Sequence, residues 1–238
     1  MKKVCWLSAG VSSFIAGILA DNVDEYIYID VPDQHPDSLR FIADCEKYLC
    51  TEIKILRSDF ESVEQVCRKN RYINGPNGAP CTKFLKKLVR LRWEHDNPGS
   101  YTYVWGFDKN ETKRAERMKE TFFEYKHEFP LIDKNISKEE AHGILRSLGI
   151  KRPVMYDLGY PNNNCIGCVK GGMGYWNRIR IDFPDVYEAR AKMEEDIGAT
   201  CIKGISLRQL QPGQGKNKVI VPDCSLVCDD MFGGNYNG

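Results

Sequence analysis

Long apolar runs are missing from this chain. No segment reaches the roughly 18 uninterrupted apolar residues that a membrane-crossing helix needs, so no membrane span is expected. Charge of one sign is missing too. The formal net charge is +1 over 238 residues, so no global basic excess announces nucleic acid, and only a local patch stays open. Histidine is scarce: there are four, and none stands at ligand spacing from another. His35 lies in a predicted turn, where a histidine usually faces solvent. Internal repeats and low-complexity linkers are absent. The length therefore suits one domain with an appendage, or two small domains, with ample material for a core.

Cysteine is what the chain does have. Ten cysteines are many for an intracellular protein and sparse for a disulfide scaffold of this length. Their spacing is uneven. Cys165 and Cys168 form C-x-x-C, and Cys224 and Cys228 form C-x-x-x-C. Close pairs with other cysteines scattered between them suggest metal ligation more than a disulfide ladder. Cys5, Cys45, Cys50 and Cys67 fall on predicted strands and helices and read as core packing.

The opening stretch VCWLSAGVSSFIAGILADN, residues 4–22, admits two readings. A signal peptide would use Lys2 and Lys3 as its basic start and Gly17–Ala20 as its small-residue site. Against that, SAGVSS breaks the apolar run in its middle. Val4–Leu7 reads as a buried strand, Phe14–Leu19 as a helix, and EYIYIDV, 25–31, as a second strand. Strand, small-residue turn, helix and strand open a βαβ unit, and this reading is preferred. The expected compartment is the cytoplasm. Such a turn lets backbone N–H groups and a helix N-terminus approach an anion, while Ser8, Ser12 and Ser13 add hydroxyls. A plain turn with a serine N-cap explains the same residues.

The pattern then alternates. A helix in 32–49 has Leu39, Ile42, Ala43 and Leu49 inward. TEIKIL, 51–56, is a third strand, and FESVEQVCRKN a helix buried through Phe60, Val63 and Val66 or Cys67. A loop over 74–80 precedes a basic helix over 81–95. YTYVWGF, 101–107, is a fourth strand, 110–120 a charged helix, and FFEYKHEFPL holds a fifth strand. Ser137 and Glu140 form a capping box that opens a helix to Leu148. This order predicts an α/β fold with a doubly wound, mostly parallel sheet, whose ligands sit at the strands' carboxyl ends. Residues 1–150 are read as a nucleotide-binding domain and 151–238 as a cysteine-containing extension. In the extension, GYPNNNCIGCVKGGMGYWNRIR is read as a metal loop or irregular lid, and Pro184–Ile197 as a helix. Gly171, Gly172 and Gly174, with Trp176, Arg178 and Arg180, form a lid, a nucleic-acid contact or the wrapping of a metal site.

Five segments in order resemble the adenine nucleotide alpha-hydrolase superfamily. SAGVSS resembles its PP-loop, S-G-G-x-[DST]-S, with Ala9 at the first glycine and Ser12 where ATP pyrophosphatases often carry aspartate. That leans toward the PAPS-reductase-like branch, near the phage-type proteins and the DNA-phosphorothioation sulfurtransferases. DQHPDSLRFI, PCTKFLK, VWGFDKNETKRAERM and the run from FPLIDKN to NNCIGCVKGG resemble later segments of that group. The resemblance implies a Rossmann-like fold of the HUP type and binding of ATP or of a sulfonucleotide, PAPS or APS. It places Ser8, Ala9, Gly10, Ser12 and Ser13 at the phosphate or sulfate oxygens. Asp30 and Asp33 would meet ribose hydroxyls or a metal, unless they serve turns and caps. Gly106 and Arg117 would lie at the fourth strand's end.

For chemistry, Lys83 and Lys86 gain weight from the C-T-x-x-L-K pattern, and Arg114 follows a strand end with Glu111 as a possible partner. The rival reading of the basic helix is a solvated face. The resemblance implies a [4Fe–4S] cluster on Cys81, Cys165 and Cys168, with Cys228 preferred over Cys224 as fourth ligand. Zinc on Cys165, Cys168, Cys224 and Cys228 is the alternative. Asp223-Cys224-Ser225 partly resembles the nucleophile segment of sulfonucleotide reductases, so Cys224 is a candidate nucleophile. Expected partners are an adenine nucleotide and a nucleic-acid or protein sulfur acceptor, with a homodimer possible. A silent nucleotide- or partner-binding protein is the non-enzyme reading.

Overall fold

Strand β1, Lys2–Leu7, is buried on both faces from Val4 onward. Cys5 and Leu7 belong to one apolar core, and Trp6 meets Trp93 edge to face at 5.5 Å. A strand covered on both sides belongs in the middle of a parallel sheet, and β1 lies there. The computed structural model describes residues 1–76, 78–216 and 220.

The sheet order is β3-β2-β1-β4-β5, with β2 at Glu25–Asp30, β3 at Ile53–Arg57, β4 at Tyr101–Val104 and β5 at Lys126–Glu128. The pairs β1–β2, β1–β4 and β4–β5 are parallel, with Cys5 opposite Tyr26 on one side and Val104 on the other. The chain winds outward from β1 first to one edge and then to the other. This is the doubly wound α/β fold, and its switch point lies between β1 and β4.

The chain forms two compact units. One comprises Met1–Asp30, His35–Leu56 and Leu91–Asn163, and the other Val31–Gln34, Arg57–Arg90 and the described residues of Asn164–Gly238.

In the first unit, α1 (Val11–Leu19) packs against α7 (Pro130–Asp133) and α8 (Lys138–Ser147). Phe14 and Ile15 of α1 join Leu131, Ala141 and Leu145 in its core. Helix α2, Asp37–Leu49, buries Ser38, Phe41, Ile42 and Cys45. The expected inward set was different: Leu39 and Ala43 are exposed. Phe14 meets Phe41 at 5.9 Å, and this aromatic contact sets the helix's rotation in place of the alternative aliphatic stripe. Ser137 caps α8 reciprocally with Glu140, as the sequence predicts. Cys50 is exposed at the end of α2 in the left-handed region, φ 50°, so its reading as a core residue is corrected. A helix C-cap position asks for that conformation whatever the side chain.

In the second unit, α3 (Val63–Asn70) is capped by Ser62, whose side chain accepts from the Gln65 N–H. The basic segment begins as α4 (Pro80–Thr82), widens to a π-helix over Lys83–Lys87, and runs on as α5 (Leu88–Asp96), which carries into the first unit. The first unit also holds α6 (Thr112–Thr121) and the short α9 (Val154–Asp157).

Helix α10, Met173–Asp182, corrects a second expectation, since the glycine-rich stretch was read as irregular to its end. Tyr175, Trp176 and Ile179 recur at helical spacing and are buried, and that burial outweighs the glycines that precede them. Helix α11, Pro184–Ile197, packs on α10, and Arg180 donates to the Leu210 carbonyl. No helix among the described residues is long and apolar enough to cross a membrane.

Candidate functional site

In the first unit the turn between β1 and α1 lies at the carboxyl end of the central strand. Ala9 holds a left-handed φ of 55°, a conformation that favours glycine. Gly10 is the N-cap of α1 and offers no side-chain acceptor, so capping leaves the helix mouth open to an outside anion. The buried Ser13 hydroxyl ties the turn. It accepts from the Ser8 N–H at 3.0 Å and the Ser8 hydroxyl at 3.0 Å, and donates to the Gly10 carbonyl at 2.9 Å. Ser13 therefore shapes the loop, while exposed Ser8 and half-buried Ser12 line its outer side.

Gly106, just past β4, closes the switch point. A Cβ there would lie 2.4 Å from Ser13 Cα and 2.5 Å from Ser13 N. Only a residue without a side chain lets the two backbones approach so closely.

The loop is also held from the segment 156–163. The Asn163 amide donates to the Ala9 carbonyl at 2.8 Å and to Ser38 Oγ at 3.0 Å. The Tyr156 hydroxyl takes hydrogen bonds from the backbone of Val11 and Asn163, and burial pushes its pKa up to about 12. Asp37 accepts from the Val154 N–H at 2.8 Å and so fixes the start of α9. Arg40, paired with Asp37, holds that carboxyl below its ordinary range. Lys138 reaches Pro161 O and Asn162 Oδ1, and burial lowers its pKa.

The other expected residues of this unit divide. Asp30 ends β2 and is half-buried. Arg114 pairs with Glu111 at 2.6 Å, as expected, and stacks 4.1 Å above the Phe107 ring. That keeps its guanidinium beside the residue following Gly106. Arg117 is exposed and donates to the Lys113 carbonyl of its own helix.

In the second unit, Cys81, Cys165 and Cys168 line one open-mouthed cavity, with Thr82, Leu85 and Lys86. The C-I-G-C turn is firmly built. Gly167 has φ 67°, and a Cβ there would meet Val186 Cγ1 at 2.6 Å. Tyr175 Oη accepts from the Cys168 N–H at 2.9 Å and donates to the Cys165 carbonyl at 3.0 Å. The Ile166 N–H donates to the Asp33 carbonyl at 2.8 Å.

Asp33 itself serves this framework. Its carboxylate accepts the Val63 N–H at 2.7 Å and pairs with buried Arg190, which also donates to Gly167 O. Turn and cap chemistry thus occupies the Asp33 carboxylate. Lys86 faces the cavity, whereas Lys83 holds its ammonium 5.4 Å from the Phe84 ring centroid. The π-helical widening under both is a feature often found at functional sites.

The donor set suits a thiophilic metal or cluster. Three thiols share one cavity walled partly by apolar side chains, and soft thiolate donors select zinc or iron–sulfur centres. Among the described residues no group of three or more potential ligands stands at metal-binding geometry. Cys224 and Cys228, the expected nucleophile and fourth ligand, lie outside the described residues.

No family model matches this chain, and no curated protein matches it. Among solved structures, it is similar to the crystal structure of phosphoadenylyl-sulfate (PAPS) reductase from Candida auris in a phosphate complex. The two are 13% identical, and the TM-score is 0.49 over 69% of this chain and 81% of that one.

Sequence reasoning passed over Tyr156 and Asn163 as loop ligands, and over Thr82 in the cavity. Residues 156–163 lie some 150 positions from the turn they clamp (|i−j| is 154 for Asn163 and Ala9), and no local pattern signals such a contact. For Thr82 a signal existed, since it sits between Cys81 and Lys83 in the recognised segment.

Proposed function

We infer that this chain is a PAPS-reductase-like enzyme that binds an adenine nucleotide and performs sulfur transfer or activation chemistry. The observation that carries the reading is the Ser8–Ser13 turn at the β1–β4 switch point, with Gly106 pressed against Ser13. An anion there meets the first N–H groups of α1 and the hydroxyl of Ser12. These donors are preorganised, because the Ser13 hydroxyl and the Asn163 amide fix the loop before any ligand arrives.

Two reactions use such a grip. With ATP, the loop holds the phosphates while an acceptor oxygen attacks the α-phosphorus and pyrophosphate leaves; a sulfur nucleophile then displaces AMP from the adenylated acceptor. With PAPS or APS, a thiolate attacks the sulfur and the nucleotide leaves as its phosphate. Asp30 at the end of β2 and Arg114 beyond β4 flank the same strand ends as candidates for the nucleoside and the leaving anion. Cys81, Cys165 and Cys168 are proposed to hold a [4Fe–4S] cluster, with Cys228 as fourth ligand. Such a cluster, when bound, supplies redox capacity and concentrated charge.

Full-length protein purified without oxygen tests the reading. Iron and acid-labile sulfide with brown colour are expected, and a colourless zinc protein would transfer the cysteine site to the zinc alternative. Pyrophosphate released from ATP identifies the first reaction, and thiol-dependent sulfite from PAPS or APS the second. Binding without either product would leave a nucleotide-binding protein and remove the enzyme reading.

A further inference from the structure

Thr82 is only 2% exposed, and its hydroxyl has no hydrogen-bond partner among the described residues. A buried hydroxyl without a partner costs stability, roughly 1–3 kcal/mol in mutational series, so an interior seldom keeps one idle. Thr82 is among the residues that line the cavity shared by Cys81, Cys165 and Cys168. Its position is fixed from both sides. Pro80 opens the helix at its first turn, the Thr82 N–H donates to the Ala79 carbonyl at 3.0 Å, and the π-helical segment starts at the next residue. Leu85, 1% exposed, anchors that segment one turn on. A β-branched side chain on a helix has few rotamers, which limits where the hydroxyl can turn.

The neighbours in the cavity explain what such a donor is for. Thiols turn into thiolates when they take a metal, and a thiolate sulfur accepts hydrogen bonds that spread its charge. The other side chains of the wall, Leu85, Lys86, three valines and the thiols themselves, provide no oxygen acceptor. We propose that the Thr82 hydroxyl is a positioning residue for the cysteine site, donating its hydrogen bond to a thiolate sulfur once Cys81, Cys165 and Cys168 hold a metal centre. The proposal rests on the reading of that cavity as a thiolate metal site. Thr82 does not ligate; it acts through the sulfur it supports, as outer partners do at metal sites generally.

The proposal makes two effects of one substitution run in opposite directions. Thr82→Val keeps the shape and removes the hydroxyl. In the metal-free chain this deletes an unsatisfied buried group, so the variant should melt about 2 °C or more above wild type, on the usual scale for domains of this size. In the loaded chain it deletes a supporting hydrogen bond, so metal should bind about tenfold more weakly. Thr82→Ser keeps the hydroxyl and should bind within about threefold of wild type.

The test is an anaerobic titration of the full-length, metal-free protein with cobalt(II), followed through its thiolate charge-transfer absorption, beside thermal melts of the same three metal-free proteins. Weaker cobalt binding by Thr82→Val with a higher melting temperature, and near-normal binding by Thr82→Ser, would support the role. Equal cobalt affinity in wild type and Thr82→Val would overturn it while leaving the cysteine site intact. A Thr82→Val protein that both melts lower and binds more weakly would also overturn it, since that is the behaviour of a packing defect. A wild-type chain that takes up no cobalt would remove the metal reading of the cavity itself, and the role of Thr82 with it.

Discussion

His142 shows how one side chain reports on the ground beneath the Ser8–Ser13 turn. It meets the Tyr156 ring edge-on at 4.6 Å, and Tyr156 in turn contacts the backbone at the mouth of α1. Burial, with Lys138, Arg152 and Arg146 nearby and only Glu139 opposing them, pushes its pKa from 6.5 down to about 4. The folded state therefore binds fewer protons than the unfolded state between those values. Stability from this group is complete above about pH 6.5 and is lost as the pH falls toward 4. Urea midpoints measured at pH 7 and pH 4.5 should fall across that interval, and less steeply in His142→Gln. Equal slopes in the two proteins would remove His142 from the account. Carboxylates such as Asp37 and Glu140, held low by their hydrogen bonds, act in the same sense but at lower pH. The comparison above pH 4.5 thus separates them from the histidine.

At the scale of elements, much was legible. The small-residue turn after an apolar strand, the Ser137–Glu140 capping box and the proline opening α11 each carry a local physical signal, and each element stands where that signal puts it. What local pattern could not supply is rotation and long-range closure. The inward face of α2 follows Phe41 because Phe14 waits across the core, a fact absent from α2's own periodicity. Helix α10 was hidden behind a run of glycines that belongs to the preceding turn. The commitment of Asp33 to Arg190, 157 residues away, was equally invisible, although capping was among the readings of that aspartate. The candidate loop was legible in Ser8–Ser13 and Gly106, while its clamp at Tyr156 and Asn163 was not. One prediction belongs to this scale. Ser137→Ala removes one half of the capping box on α8, which packs against α1. It should cost about 1 kcal/mol by urea unfolding. A loss below a few tenths would mean that the cap does little for the helix that packs against α1.

Taken as a whole, the chain divides its chemistry between its two units. The first carries the doubly wound sheet and an open helix mouth at the switch point. The second brings three cysteines to one cavity, two of them on a glycine turn braced by Arg190. Near-neutral net charge fits this arrangement, since a small anionic ligand needs a local array of N–H and O–H donors and no global field. The account stands or falls with that array. Its most direct test is calorimetric titration of wild type and Gly106→Ala with ATP and with PAPS, using adenosine as the control without anionic groups. The added methyl must displace the Ser13 backbone, so the account predicts that wild type binds at least one of the two nucleotides, that adenosine binds at least about tenfold more weakly, and that the variant loses at least about tenfold in affinity while keeping its circular dichroism; tenfold corresponds to about 1.4 kcal/mol. A folded Gly106→Ala protein that binds as tightly as wild type, or a wild type that binds neither nucleotide, would contradict it.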